Sequence, residues 1–143
     1  MTAWKQFMNQ GNQLFTHQKW CDALGYYTKA VTLLENAMTT ENADIQQAVE
    51  GLVCGYHNIA TTYEQQGMIK LSRDALVKPF KKMLALSYNP NTSQEIKLTA
   101  NSALKMTLPP LLEFAKKHPS ELTFINQVVE QLNTYDQLGH SLH

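Results

Sequence analysis

The sequence predicts an all-α protein of about seven helices, and two observations support this class. Apolar residues recur at spacings of three and four along most of the chain, which is the period of an amphipathic helix. No segment shows the alternation of apolar and polar residues that is typical of a half-buried strand. With 143 residues, 43% of them hydrophobic, the chain is long enough for one core. We therefore expect a single domain over residues 1–143.

Three apolar stripes predict the first three helices. The stripes cover residues 4–15, 20–34 and 45–63. Thr40 or Asn42 is a candidate cap for the third helix, which is expected from about residue 43 to residue 66. Gly67 predicts its end, because glycine tolerates the left-handed conformation there. Gly51 and Gly55 lie four apart, which favours close approach of a neighbouring helix.

Prolines and one capping motif divide the second half of the chain. A fourth helix should begin near Met68, and Pro79 predicts a kink or break in it, because proline removes a helical hydrogen bond. The segment 92–95, Thr-Ser-Gln-Glu, is typical of a capping box that opens a fifth helix. The pair at 109–110 predicts the end of that helix and the start of a short sixth. A last helix is expected after Pro119.

An internal repeat relates the first helix pair to the second. Placing Gly11 over Ala60 puts a small residue twelve positions later in both copies, Ala23 and Ser72. Sixteen positions after Gly11 lies Tyr27, and the matching position of the second copy is also large and apolar. The repeat therefore predicts that each copy forms a helix, a tight turn and a second helix, with small residues where the two helices cross.

This pattern resembles the tetratricopeptide repeat over about residues 4–86. The matching residues are Gly11, Leu14, Trp20, Ala23, Tyr27 and Ala30 in the first copy, and Asn58, Ala60, Tyr63, Gly67, Ser72 and Leu76 in the second. The resemblance implies antiparallel helix-turn-helix units at 4–38 and 43–87 in a right-handed solenoid, with C-terminal capping helices at 91–138. The copies lie 49 residues apart, against a family length of about 34, and Pro79 stands where the family has a small residue.

The same resemblance implies a peptide-binding groove on the first helix of each unit. Carried over position by position, the groove residues are Lys5, Met8, Asn12 and Phe15 in the first unit, and Cys54, His57, Asn58, Thr61 and Gln65 in the second. Asn12 and Asn58 fall where one subset of the family clamps a terminal carboxylate, but Met8 replaces that subset's lysine. The alternative is that both asparagines are ordinary helix-surface or interhelical residues.

Charge is unevenly distributed along a chain whose formal net charge is zero. Residues 1–69 and 118–143 are acidic, whereas 70–117 are basic. The densest basic stretch contains Lys70, Arg73, Lys78, Lys81 and Lys82. It is a candidate surface for an acidic partner. The favoured alternative is a solvated helix face, in which Asp74 is four residues from both Lys70 and Lys78. Nucleic acid is not an expected partner, because binders usually carry a basic balance.

Signatures of catalysis and of cofactor binding are missing from the sequence. Cys54 and His57 lie one turn apart, but a structural zinc site needs four ligands and no second pair is evident. No phosphate-binding glycine loop or nucleophile elbow occurs. We therefore expect no metal, no cofactor and no enzyme. Neither a signal peptide nor a membrane span is expected. Two cysteines are too few for a disulfide framework, so a reducing cytoplasm is the expected compartment.

The predicted function is non-catalytic binding of an unidentified protein or peptide, as an adaptor or a chaperone-like factor. Two alternatives remain open from the sequence. One is a structural homodimer that uses an exposed apolar face. The other is a small-ligand binder or enzyme with its site in a helical cavity.

Overall fold

The computed structural model describes the backbone of residues 2–40 and 44–141, and side chains as far as residue 135. The protein is all-α, as predicted, and the described part contains six α-helices and no strand. The helices are α1 (Ala3–Thr16), α2 (Trp20–Ala37), α3 (Ile45–Gln65), α4 (Ile69–Tyr88), α5 (Gln94–Lys117) and α6 (Leu122–Ser141). A single 3₁₀ turn, Pro119–Glu121, precedes α6.

The chain divides into two compact units, residues 1–76 and 77–143. The division falls inside α4, and therefore inside the segment 43–87 that the sequence predicts as the second repeat unit. The candidate groove residues all belong to the first unit.

Helices α1, α2 and α3 of the first unit pack as successive antiparallel neighbours. Phe15 near the end of α1 meets Trp20 at the start of α2, with ring centroids 5.0 Å apart. Earlier in α1, Gly11 faces the Tyr27 ring from later in α2. The three-residue connection turns the chain back through Gln18, whose φ is 60°. Residues earlier in α1 therefore contact residues later in α2, which is the order of contacts in an antiparallel helix pair.

Three glycines allow these helices to approach closely. A Cβ at Gly11 would lie 2.6 Å from the Tyr27 ring, and one at Gly55 would lie 2.7 Å from Val31. A Cβ at Gly51 would lie 3.0 Å from the ring of Trp4. The close approach predicted for the pair at 51 and 55 is therefore confirmed. A side chain at Gly11 or Gly55 would therefore force the Tyr27 ring or Val31 to shift, whereas one at Gly51 would require a smaller adjustment of its neighbours.

The positions aligned by the internal repeat are buried in both copies. Ala23 is fully buried and Ser72 is 1% exposed. The Ser72 hydroxyl donates to the Ala60 carbonyl at 2.7 Å, which joins the start of α4 to α3. Small residues therefore lie at helix contacts in both copies, as the repeat predicts.

The prediction was wrong about both helix caps. The cap of α3 is Asp44, whose carboxylate accepts from the Gln47 amide at 3.1 Å. Thr40 instead donates to a carbonyl one turn back, and Asn42 lies outside the described residues. The cap of α5 is Ser93, which accepts from the Ile96 amide at 3.3 Å, so no capping box forms with Thr92. The end of α3 is as predicted, since Gly67 has a φ of 75°.

The predicted break at Pro79 and the predicted helix end at 109–110 are also wrong, because α4 and α5 both continue through these prolines. Pro79 lies within α4, and the pair at 109–110 lies within α5. A proline inside a helix costs about 3 kcal/mol, and burial on both sides offsets it. In α5, Thr107 is buried before the pair and Leu111 after it. A continuous helix keeps both side chains on one core-facing stripe.

The second unit contains the rest of α4, with α5 and α6 packed against each other. Its fully buried side chains include Phe80, Met83, Leu111 and Ile125. The rings of Tyr88 and Tyr135 stack with centroids 5.3 Å apart.

Candidate functional site

Two adjoining depressions lie between α1 and α3 of the first unit. The wide pocket, of about 500 Å³, is lined by Trp4, Lys5, Met8, Asn9, Asn12, Gln47, Glu50, Gly51 and Cys54. The amide pocket, of about 320 Å³, is lined by Asn12, Phe15, Thr16, Tyr27, Asn58 and Thr61. Asn12 borders both, so the two pockets form one interrupted groove.

Helical spacing explains why these side chains share a surface. On α1, one or two lining positions recur in each helical turn, at 4–5, 8–9, 12 and 15–16, and the lining positions of α3 recur in the same way, so each set lies on one helix face. The glycines of α3 bring the two faces together. Trp4 lies over Gly51, and the Met8 sulfur would lie 3.8 Å from a Cβ at Gly55.

Most of the predicted groove residues line the two pockets. Those that do are Lys5, Met8, Asn12, Phe15, Cys54, Asn58 and Thr61. Met8 is only 7% exposed and contributes to the floor of the wide pocket rather than to its rim. Among the predicted residues, His57 and Gln65 line neither pocket: His57 is half-buried, and Gln65 is exposed in the last turn of α3.

A hydrogen bond from α2 orients the central side chain of the groove. The Tyr27 hydroxyl donates to Asn12 Oδ1 at 2.7 Å. Tyr27 is 2% exposed and its ring packs on Gly11, so the donor is firmly held. The sequence placed Tyr27 on an apolar stripe, and nothing in its spacing indicates that its hydroxyl reaches a pocket.

The two pockets differ in charge. In the wide pocket, Lys5 lies on α1 and Glu50 on α3, and the Lys5 ammonium is 5.5 Å from the Trp4 ring centroid. The described residues lining the amide pocket carry no charge at neutral pH.

Burial, together with nearby Cys54, raises the pKa of Tyr27, and burial raises the pKa of the Cys54 thiol. The thiol is therefore protonated at neutral pH and is a poor nucleophile.

His57 lies on α3, one turn after Cys54, and its Nε2 is buried. That nitrogen has no hydrogen-bond partner in the described part of the chain. Burial lowers the pKa of His57 below its usual value. Within the described residues, no cluster of three or more His, Cys, Asp or Glu side chains is placed to hold a metal ion.

The lowered pKa of His57 predicts a loss of stability in mild acid. Between the two pKa values the unfolded state binds more protons than the folded state, so stability falls as the pH drops below about 6.5. Urea midpoints measured from about pH 8 to pH 5 should decline more in the wild type than in His57→Gln, whose side chain does not titrate. Parallel declines would show that His57 does not contribute.

The predicted basic stretch lies on α4, across the division between the two units. Lys70 and Arg73 belong to the first unit, and Lys78, Lys81 and Lys82 to the second. Arg73 forms an ion pair with the neighbouring Asp74 at 3.0 Å. The stretch therefore carries an acidic side chain that pairs with one of its own cations.

These observations define an all-α protein whose first unit has a pair of pockets between α1 and α3. The chain belongs to the family described as Protein of unknown function (DUF2753), whose model matches residues 2–141. Searches of curated proteins and of solved structures found no match. None of the described helices is both long enough and apolar enough to cross a membrane.

Proposed function

We propose that this is a non-catalytic, cytoplasmic adaptor or chaperone-like protein that holds an extended segment of a client polypeptide between α1 and α3. The observation that carries the proposal is the pair of adjoining pockets lined from both helices. Together they offer amides, hydroxyls and apolar surface. Such groups bind a peptide well, because amides both donate and accept while the apolar parts receive a side chain.

The resemblance to tetratricopeptide repeats supports this proposal. The antiparallel α1–α2 pair and the buried small residues at Gly11, Ala23, Ala60 and Ser72 are what that repeat requires. A right-handed solenoid with units at 4–38 and 43–87 and a cap at 91–138 remains part of the proposal. In it, α1 and α3 are the groove-lining helices.

The pockets give the client distinct chemical environments. Trp4 and Met8 of the wide pocket provide apolar contact for a side chain, beside the opposite charges of Lys5 and Glu50. The amide pocket provides neutral polar contact for main chain. The neutral thiol and the amides suit binding rather than proton transfer.

A blocking substitution at Thr61 tests the proposal. Thr61 is exposed in the amide pocket and its hydroxyl donates to the His57 carbonyl one turn back. Random dodecapeptides displayed on phage would be selected for binding to the wild type. The affinity of each enriched peptide would then be measured by fluorescence anisotropy. Thr61→Arg should weaken their binding at least about tenfold, because the longer side chain fills the pocket and competes for its polar groups.

Thr32→Arg is the matched control for this variant. Thr32 is also an exposed helical threonine, and its hydroxyl donates to the Thr28 carbonyl one turn back, but it lies on α2 and lines neither pocket. The control should bind like the wild type. Equal affinity of both variants for the selected peptides would contradict binding in the groove.

Self-association is a second candidate, favoured by exposed apolar side chains on α5. Leu98 is 59% exposed and Leu112 is 44% exposed, and their spacing of two heptads places them on the same side of the helix. Sedimentation analysis would detect a dimer, and Leu98→Lys should dissociate it. A monomer at high protein concentration would exclude this candidate.

A further inference from the structure

We infer that the amide pocket binds an internal, uncharged stretch of client main chain rather than a chain terminus. In this inference, Tyr27 orients the Asn12 side chain so that its amide N–H groups donate to a client carbonyl. This inference rests on the proposed function and specifies its ligand. It follows from which hydrogen-bonding groups of the pocket are already used.

The hydroxyl protons of the pocket are committed within the protein. Tyr27 donates to the side-chain oxygen Oδ1 of Asn12. Thr16 donates to the main-chain carbonyl of Asn12, and Thr61 to the main-chain carbonyl of His57, both at 3.0 Å. A hydroxyl has only one proton to donate. These three groups therefore have no donor left for a ligand. The two threonine oxygens are exposed and can accept from it, whereas Tyr27 is 2% exposed and is not offered as an acceptor.

The two asparagine amides are the remaining donors. With its oxygen bonded to Tyr27, Asn12 retains its two N–H bonds for a ligand. The side chain of Asn58 makes no hydrogen bond within the described part of the chain, so it can both donate and accept. A peptide unit in the middle of a chain matches this set, because its carbonyl accepts from Asn12 or Asn58 and its N–H donates to Asn58 or a threonine oxygen.

A terminal carboxylate fits the pocket poorly. None of the lining residues described there carries a positive charge, and burying an anion without a cation or a full set of donors is costly. Lys5 lines the wide pocket instead, where its ammonium lies near the Trp4 ring. The threonine oxygens and Asn58 Oδ1 would also face the carboxylate as acceptors, and a carboxylate has no proton for them.

Tyr27 acts on the ligand only through Asn12. Its donated bond fixes which end of the Asn12 amide is left for the client. Tyr27→Phe removes that bond but keeps the ring that packs on Gly11, so this variant should still fold. Without the bond, the Asn12 amide is free to rotate and loses its orientation as a donor.

Two synthetic decapeptide libraries test the inference on the full chain. One is acetylated and amidated at its ends, and the other has the same random sequences with a free C-terminal carboxylate. The immobilised wild type should enrich peptides from both libraries. A free carboxylate should change the affinity of an enriched peptide less than about twofold, because no described residue lining the amide pocket is a cation that would bind it. Enrichment of the free-carboxylate library alone would overturn the inference and leave the proposed function standing.

A double-mutant cycle tests the role of Tyr27. With an enriched capped peptide, Asn12→Ala should weaken binding about tenfold and Tyr27→Phe about threefold to tenfold, the scale of one or two hydrogen bonds. In the Asn12→Ala background, Tyr27→Phe should have no further effect. An equal Tyr27→Phe effect in both backgrounds would overturn the positioning role.

Two further variants separate the inference from the proposed function. Asn58→Ala, which leaves the Tyr27 bond intact, should weaken the same peptide, whereas unchanged binding in both asparagine variants would overturn the inference. If Thr61→Arg still abolished binding in that case, the groove itself would stand. If the wild type enriched neither library, the proposed function would fail together with the inference. Circular dichroism would confirm that each variant is folded.

Discussion

Replacing Leu34 with alanine is expected to lower the free energy of unfolding by about 2–5 kcal/mol. Leu34 is fully buried, and its side chain approaches Gly51 at the point where α2 meets α3. Removing its branched end leaves a cavity in the part of the first unit that supports the wide pocket. Urea unfolding followed by circular dichroism measures the loss from the midpoint and the slope.

The adjacent residue provides the control for this substitution. Leu33 belongs to the same helix but is 38% exposed. Leu33→Ala removes the same atoms from a partly solvated position, so its cost should be about 1 kcal/mol or less. Similar losses at the two positions would contradict the packing of α2 described above.

Gly11→Ala and Gly25→Ala are expected to change stability in opposite directions. Both glycines lie inside helices, where alanine is intrinsically favoured by about 1 kcal/mol. A Cβ at Gly25 meets nothing within 4 Å, so Gly25→Ala should stabilise the protein by about 0.5–1 kcal/mol. A Cβ at Gly11 would overlap the buried Tyr27 ring, so Gly11→Ala should destabilise it by about 1–2 kcal/mol after the helix preference is subtracted.

Thermal unfolding of both variants under identical conditions measures this difference. Gly11→Ala should also weaken peptide binding, since moving the Tyr27 ring disturbs its bond to Asn12. Stabilisation by both substitutions would mean that α1 and α2 are not in the close contact described here.

The helical period of the sequence predicted the elements well, because a continuous apolar stripe determines which face of a helix is buried. It failed where local signals compete with that stripe. Pro79 and the pair at 109–110 lie within helices whose apolar faces continue on both sides. The cap predictions failed for a related reason. Asn42 lies two residues before Asp44, Thr92 lies directly before Ser93, and only the fold selects between such polar residues.

The candidate site was predictable to the extent that it follows helix faces. Asn12 and Asn58 lie on faces that a three-to-four spacing identifies, and both line the amide pocket. His57 shares the three-to-four spacing of Cys54 and Thr61, but its Nε2 is buried and it lines neither pocket. Gln65 lies beyond the pocket near the end of α3. Tyr27 could not be recognised as a site residue, because its role depends on the packing of α2 on α1 rather than on any spacing within α2.

The central claim, that client main chain binds between α1 and α3, is tested most directly by the side-chain amide signals in a ¹H–¹⁵N NMR spectrum. A capped decapeptide enriched by the wild type would be titrated into the labelled full chain. The NH₂ signals of Asn12 and Asn58 should shift, and those of the exposed Asn36 on α2 and Asn101 on α5 should not. Shifts confined to α4 or α5, with the Asn12 and Asn58 signals unchanged at saturation, would contradict the claim.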